Sequence, residues 1–182
     1  GLEKKKRGNF FVYDLGGGTF DVSILKLSDG IFKVIGTGGD SKLGGDDFDR
    51  LFAEKILKDF FHSSLDELSL KDKTKIIRKS KILKENLVTG NKIEDLFELN
   101  NIKKKIEIDS DFLNISLDPL IDKTIEISHK LLSECDFKLE LIDGFILVGG
   151  SSRLKRIEEK LKKKFNKKIY NEINPDLVVS IG

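Results

Sequence analysis

The stretch Asp14-Leu15-Gly16-Gly17-Gly18-Thr19-Phe20-Asp21 decides how the rest of the chain is interpreted. Three consecutive glycines let the backbone approach a ligand closely, and their N–H groups can converge on phosphate oxygens. Asp14 and Asp21 flank the predicted turn, where carboxylates suit Mg²⁺, an ion that keeps several waters. Thr19 adds a hydroxyl. The octapeptide therefore predicts a phosphate and magnesium site. An ordinary glycine-rich hairpin is the alternative, and the stretch is neither a Walker A loop nor a G-x-G-x-x-G loop.

Apolar residues on both sides of this stretch predict three antiparallel strands. An apolar run at residues 10–13 precedes it, and alternating apolar residues follow it from 20 to 27. Asp29-Gly30 marks a second turn, and residues 31–35 form a third apolar segment. Strands joined by short glycine turns are typical of consecutive hairpins. The predicted phosphate site therefore lies at the first turn of an antiparallel unit.

Two further glycine turns stand next to predicted helices. Val148-Gly149-Gly150-Ser151-Ser152-Arg153 reads as a strand, a turn and a helix start, where a serine can cap the helix and Arg153 can stack on a purine ring. Gly44-Gly45 precedes a helix that begins with two acids, and a helix N-terminus attracts anions. From the residues alone, a cap with a surface arginine explains the first turn better than a purine site. A tight turn that leads into a helix explains the second equally well.

The remaining apolar periodicity predicts helices mixed with strands, which is typical of an α/β fold. Helical spacing covers residues 48–60, 72–87 and 154–165. The second of these helices has four predicted inward residues: Ile76, Ile77, Ile82 and Leu83. Asp118-Pro119 predicts the start of another helix, with Asp118 as the N-cap and Pro119 as the first helical residue.

Short strands complete the pattern. Residues 94–99 and 103–108 are predicted to form a hairpin around Asn100-Asn101, and residues 145–148 a buried strand. After Pro175 the last residues resemble the start of an amphipathic helix that stops at Gly182. We therefore expect that the ends of this chain are not natural ends.

Composition excludes several classes of protein. The chain has 182 residues, 38% of them hydrophobic and 35% charged, with a net charge of +2, which fits one globular domain without a strong field for nucleic acid or membrane. Cys135 is the only cysteine, and the two histidines are isolated, so neither a disulfide nor a transition-metal site is predicted. The lysines of residues 160–168 have acidic neighbours and no interleaved aromatics, so we interpret them as a solvated helix face. No signal peptide is recognised at the start.

The three glycine motifs, in this order, resemble those of DnaK-type chaperones, the seventy-kilodalton heat-shock family. Residues 12–24 are similar to the second phosphate motif of the family, 43–49 to the signature that follows it, 146–153 to its adenosine motif, and 174–176 to its closing segment. The resemblance extends over the whole chain and is loosest between residues 62 and 116. Residues 30–34 and 37–47 resemble the HscA branch, which serves iron–sulfur cluster assembly, more than general DnaK.

This resemblance implies an actin-like ATPase (ribonuclease H-like) fold, an α/β fold with two lobes, of which residues 1–182 would be lobe II only. Lobe I and the peptide-binding domain would be absent. The implied cofactors are ATP or ADP and Mg²⁺, with K⁺ as a further candidate ion. The implied catalytic residues are Asp14, Thr19 and Asp21, and the two acids would hold Mg²⁺ through water. The implied nucleotide-binding residues are Gly16, Gly17, Gly18, Thr19, Gly44, Gly45, Lys84, Gly149, Gly150, Ser151, Arg153 and Asp176.

The helix that would cover the base departs from the family pattern around Lys84. Lys81 stands where many members have Glu, Glu85 where many have a basic residue, and Val88 where many have Ser. If this helix contacts the adenosine less, nucleotide affinity is expected to be lower than is usual in the family.

The resemblance also implies a function and partners. The full-length protein would be a bacterial cytoplasmic ATPase that couples nucleotide state to peptide capture and release, whereas the isolated lobe would be inactive. Its partners would be its own lobe I, a J-domain co-chaperone, and an unfolded peptide or an iron–sulfur scaffold protein, with no nucleic acid and no membrane. The alternatives are a general DnaK folding chaperone, a sugar kinase of the same fold, or an actin-like filament protein.

Overall fold

The fold is described from a computed structural model, which describes residues 7–99 and 102–170. The predicted turn Asn100-Asn101 and the motif residues 174–176, Asp176 among them, lie outside these ranges, as does the predicted final helix. The chain divides into two compact units. Of the described residues, the first unit contains 7–45 and 121–170, and the second contains 46–99 and 102–120. Among the described residues, no helix is long and apolar enough to cross a membrane.

The first unit is built on a five-stranded sheet with the order β3-β2-β1-β6-β7. Strand β1 pairs antiparallel with β2 and parallel with β6, while β2 pairs antiparallel with β3. The three predicted antiparallel strands and the buried strand after residue 144 are therefore confirmed. The bounds are β1 (Arg7–Leu15), β2 (Phe20–Ser28), β3 (Ile31–Asp40), β6 (Gly144–Val148) and β7 (Lys168–Tyr170).

Strand β1 is the centre of this unit because both of its faces are buried. Its run Phe10, Phe11, Val12 and Tyr13 has almost no exposed surface, which explains why the sequence shows continuous rather than alternating apolar residues. On one face, Phe10 and Val12 pack with residues of β2, β6 and β7. Burial of so many large apolar side chains stabilises the strand that carries Asp14.

Helices α3 (Ser110–Glu134) and α4 (Lys155–Phe165) complete the first unit, although α3 begins in the second. The predicted apolar stripe of α4 is confirmed, because Ile157, Leu161 and Phe165 are buried. The predicted helix start at Asp118-Pro119 is wrong, since Pro119 lies inside α3. The helix instead begins after Asp109, whose side chain accepts a hydrogen bond of 2.8 Å from the Phe112 N–H, as an N-cap does.

Tolerance of this proline has a local explanation. Pro119 removes one backbone hydrogen bond, the one that the Ile115 carbonyl would otherwise accept. Ile115 is exposed, so water can satisfy that carbonyl. Leu113, Leu117 and Ile121 are buried at helical spacing across the proline, and their burial keeps the helix continuous. The apolar period before Asp118 was therefore a better guide than the capping signal.

The second unit combines two helices with a hairpin. Its elements are α1 (Gly45–Ile56), a π-helical turn (Leu57–Phe61), α2 (Leu70–Thr89), β4 (Lys92–Leu99) and β5 (Ile102–Asp109). The predicted helices and hairpin are confirmed, and β4 pairs antiparallel with β5. The prediction that Ile82 points inward is wrong, because half of its surface is exposed. The buried face of α2 instead follows Ile76, Leu83 and Leu87.

Candidate nucleotide-binding site

The predicted phosphate turn connects β1 to β2. Asp14 and Asp21 are direct partners in the antiparallel register, so the hairpin brings the two acids opposite each other. The turn is closed by a hydrogen bond of 3.0 Å from the Gly16 N–H to the Thr19 carbonyl. The Thr19 hydroxyl donates to an Asp21 carboxylate oxygen at 3.0 Å. The structure thus brings together the three residues predicted to be catalytic.

Two carboxylates, those of Asp14 and Asp21, concentrate negative charge at this hairpin. Burial raises the pKa of the Asp14 carboxyl, and the charge of Asp21 raises it further. Within residues 7–99 and 102–170, no lysine or arginine forms an ion pair with either acid. A bound cation would offset the repulsion between the two acids, and carboxylate oxygens suit Mg²⁺ with its waters. The donor set therefore fits the magnesium that the sequence predicts.

The middle of the turn is open to a ligand. Gly17, Gly18 and Thr19 are exposed, and a Cβ added at either glycine would meet no atom within 4 Å. In the described part of the chain, the N–H groups of Gly17 and Gly18 have no acceptor. Exposed backbone amides in a glycine turn bind phosphate oxygens well. The turn consequently fits a phosphate group as well as a cation.

The second glycine motif lies directly against this turn. The Gly45 N–H donates to the Gly16 carbonyl at 2.9 Å. A Cβ at Gly44 would come within 2.5 Å of the Gly17 carbonyl oxygen, so only glycine allows this approach. The Gly45 amide at the start of α1 therefore bonds to the chain itself and is not free for an anion. This bond belongs to the tight turn that leads into the helix, and nucleotide binding by Gly44 and Gly45 stays a prediction.

The third glycine motif also reaches the phosphate turn. Strand β6 places Val148 beside Asp14, and Gly149 follows with a φ of +88°. A Cβ at Gly149 would come within 2.8 Å of an Asp14 carboxylate oxygen and closer still to the Leu15 carbonyl. The Ser151 hydroxyl donates to the Gly16 carbonyl at 3.3 Å. All three predicted glycine motifs thus meet around one turn.

Neither serine of the third motif caps the helix that follows. A short 3-10 turn (Ser151–Arg153) comes first, and α4 begins only at Lys155, after Leu154. The Ser152 hydroxyl donates to the Gly149 carbonyl at 2.7 Å, within its own turn. The prediction of a serine cap is therefore wrong. Arg153 is exposed in this turn, and its role against a purine stays a prediction.

Lys84, predicted to bind nucleotide, lies in the second unit. Its ammonium pairs with the Asp49 carboxylate at 2.6 Å, and both side chains are almost completely buried. Burial raises the pKa of Asp49, and Lys84 offsets only part of this effect. A buried charge needs a partner, which gives Lys84 a structural role within its own unit. Its contact with a base stays a prediction.

A buried hydroxyl chain behind the site was not predicted from the sequence. Thr124 of α3 donates to the Ile121 carbonyl at 2.6 Å, and the Tyr13 hydroxyl, 2.6 Å from the same Thr124 oxygen, is therefore its donor. Burial raises the pKa of Tyr13 well above its usual range. The bond fixes β1 one residue before Asp14. The sequence signal that could have predicted this bond is Tyr13 at the end of an otherwise apolar run, because a buried tyrosine hydroxyl needs a hydrogen-bond partner.

Comparisons with known proteins identify relatives over the full length of the chain. The family model described as Hsp70 protein matches residues 1–182. The chaperone protein HscA of Buchnera aphidicola subsp. Schizaphis graminum is 42% identical over 190 residues. The HscA homologues of Rickettsia bellii and Variovorax paradoxus are 41% and 36% identical over 182 residues. Each match covers 100% of this chain, but the chain spans only 28–29% of the length of these relatives.

Proposed function

The chain belongs to the Hsp70 family, and we propose that it is part of an ATP-dependent chaperone of the HscA type. The predicted resemblance is confirmed by the family match and by the names of the relatives. The observation that carries the proposal is the opposed pair Asp14 and Asp21 at an open glycine turn, against which two further glycine motifs pack. A nucleotide with its magnesium is the ligand that such a donor set suits best.

Family membership implies the actin-like ATPase fold, and the mixed α/β architecture with its five-stranded sheet agrees with it. It also sets aside the sugar kinase and filament alternatives. We propose that residues 1–182 form lobe II of the nucleotide-binding domain. Lobe I would then be the first partner of this chain, because a clamp of two lobes needs donors from both.

Each residue of the turn would have a separate role in phosphoryl transfer, a reaction that depends chiefly on positioning and charge stabilisation. The amides of Gly17 and Gly18 would hold phosphate oxygens, and the Thr19 hydroxyl would orient the terminal phosphate or the attacking water. Asp14 and Asp21 would order the waters around the metal. Mg²⁺, when bound, would supply positive charge that offsets the negative charge of the phosphate oxygens. K⁺ is a second candidate ion, by resemblance alone.

The HscA-type assignment extends to partners. Relatives that are 40–42% identical to this chain carry the name HscA, which favours that branch over general DnaK. We propose a J-domain co-chaperone and a peptide client, with an iron–sulfur scaffold protein as the client of this branch, in the bacterial cytoplasm. Hydrolysis would switch the protein between capture and release of that client.

The proposal is tested in the full-length protein with Thr19→Ala and Asp14→Asn. Thr19→Ala should slow ATP hydrolysis by about tenfold or more, and weaken ATP binding much less, because its hydroxyl acts on the reacting phosphate. Asp14→Asn should raise the Mg²⁺ concentration needed for half-maximal activity. Single-turnover hydrolysis and a magnesium titration measure the two effects. Thr74→Ala, an exposed threonine of α2, is the control. If neither Thr19→Ala nor Asp14→Asn changed any nucleotide property, the site assignment would be wrong.

A further inference from the structure

We infer that Ser151 is a positioning residue for the phosphate turn, although it stands in the motif that resembles an adenosine site. Its hydroxyl holds the Gly16 carbonyl and thereby fixes the turn whose amides would bind phosphate. The inference rests on the proposed function. We expect Ser151 to affect how tightly the phosphate groups of a nucleoside di- or triphosphate bind, and not how tightly the nucleoside binds.

The Gly16 peptide is held by donors from two distant segments. Its carbonyl accepts from the Ser151 hydroxyl at 3.3 Å and from the Gly45 N–H at 2.9 Å. Its own N–H donates to the Thr19 carbonyl at 3.0 Å, across the turn. The Gly16 carbonyl and the Gly17 N–H belong to one rigid, planar peptide, so holding the carbonyl fixes the direction of that N–H. The Ser151 hydroxyl therefore helps to orient the Gly17 amide, which is the first of the two exposed amides of the turn.

Steric fit supports the same assignment. A Cβ at Gly45 would overlap the Ser151 hydroxyl, while its distance to the Gly16 carbonyl oxygen would be an ordinary 3.4 Å. Gly45 has no strained φ, so its backbone alone does not require glycine. The space beside Gly45 is thus kept for the hydroxyl that reaches Gly16. The contact of the Ser151 side chain with Gly16 therefore stabilises the phosphate turn.

The adjacent serine provides a matched comparison. Ser152 is more buried than Ser151, and its hydroxyl bonds the Gly149 carbonyl within its own turn. Both serines lose one hydrogen bond on substitution by alanine. Only Ser151→Ala removes a bond to the phosphate turn, so a general weakening of the 149–153 segment should appear equally in both variants.

The test compares adenosine with ADP in the full-length protein by titration calorimetry. Ser151→Ala should weaken ADP binding by about two- to tenfold, the value of one hydrogen bond, and leave adenosine affinity within about twofold. Ser152→Ala should leave the ratio of the two affinities unchanged. Equal loss for adenosine and ADP would instead make Ser151 a nucleoside contact and overturn the inference, as would no loss for either. A wild-type protein that bound neither ligand would overturn the proposed function itself.

A second variant separates positioning from local damage. Gly45→Ala should displace the Ser151 hydroxyl and weaken ADP binding by a similar factor. In the Ser151→Ala background the same alanine has room, so the two losses should not add. Fully additive losses would show that Gly45 and Ser151 act independently and would contradict the shared role at Gly16.

Discussion

Glycines around the candidate site fall into two groups that differ in their surroundings. At Gly17 and Gly18 a side chain would meet nothing within 4 Å, whereas at Gly44 and Gly149 it would overlap backbone atoms of the phosphate turn or of β1. The crowded glycines are required because the turns could not otherwise approach each other. The open ones satisfy no steric requirement of the fold, so we expect them to serve the proposed ligand. Stability and nucleotide binding should therefore respond to different glycines.

The largest expected effect is that of Gly149→Ala on stability. The new methyl group would overlap the Leu15 carbonyl, at a φ of +88° that alanine rarely adopts. We expect a loss of about 3–4 kcal/mol in the free energy of unfolding, from strain and overlap together. Urea denaturation measures it. Gly150→Ala is the matched control, since its φ of −64° suits alanine and no atom lies near the new methyl, and it should cost less than about 0.5 kcal/mol.

A smaller effect should separate Gly44→Ala from Gly17→Ala. Gly44→Ala pushes a methyl group into the backbone of Gly17 and Gly18, and should cost about 1–3 kcal/mol in stability. Gly17→Ala should leave stability within about 0.5 kcal/mol, but weaken ADP binding by about tenfold, because the methyl occupies the space of the ligand. Denaturation and calorimetry on the same preparations test the pair. If Gly17→Ala unfolded the protein and left binding intact, the division into open and crowded glycines would fail.

The carboxylates also fall into two groups, one paired with basic residues of the fold and one at the candidate site. Substitution of the paired carboxylate Asp40 has the smallest expected effect. Asp40 at the end of β3 accepts from the Lys123 ammonium at 2.7 Å and from the Lys42 N–H at 2.8 Å, and both hold its pKa below the usual range. A lowered pKa stabilises the fold above the ordinary value of about 4, and this contribution is lost as pH falls through the lower folded value. Asp14, which has no such basic partner in the described ranges, has a raised pKa instead.

The expected result is a small difference in Tm between the wild type and Asp40→Asn. It should be constant near neutral pH and disappear as the pH is lowered below about 4. Thermal unfolding monitored by circular dichroism across this range measures it. In a Lys123→Gln background, the change in Tm caused by Asp40→Asn should be smaller. If the Tm difference became larger at acidic pH, the pKa of Asp40 would not be lowered by folding.

The order of the strands and helices and the position of Asp14 and Asp21 were predictable from the sequence because both depend on local patterns. Alternating and continuous apolar runs give the strands, and the register of a hairpin follows from its turn, which is why Asp14 and Asp21 were expected at the same end. Parallel pairing of β1 with β6 then brings Gly149 to Asp14. This pairing was not predicted from the sequence, because it joins segments that lie far apart along the chain.

Features that depend on tertiary contacts were not predictable in this way. Asp118-Pro119 carries a strong local capping signal, yet burial on both sides of it keeps α3 continuous. Ile82 has a helical spacing that fits the inner face of α2, but the charged side chain of Lys84 is buried there instead. The partner of Lys84 is Asp49, far away in the sequence, and no local pattern links the two. Tertiary packing overrides local propensity at each of these positions.

The double pairing of β1 has a consequence for the order of folding. Its partner β2 follows at once, so this hairpin can form as soon as it leaves the ribosome. Its partner β6 is made much later, and the bond between the Asn9 N–H and the Asp143 side chain spans 134 residues. Closure of so long a segment is slow compared with hairpin formation. In a nascent chain, the residues of the phosphate turn would therefore be present before Gly149 and Ser151 are synthesised. We expect nucleotide binding to develop only late in synthesis, once these residues can contact the turn.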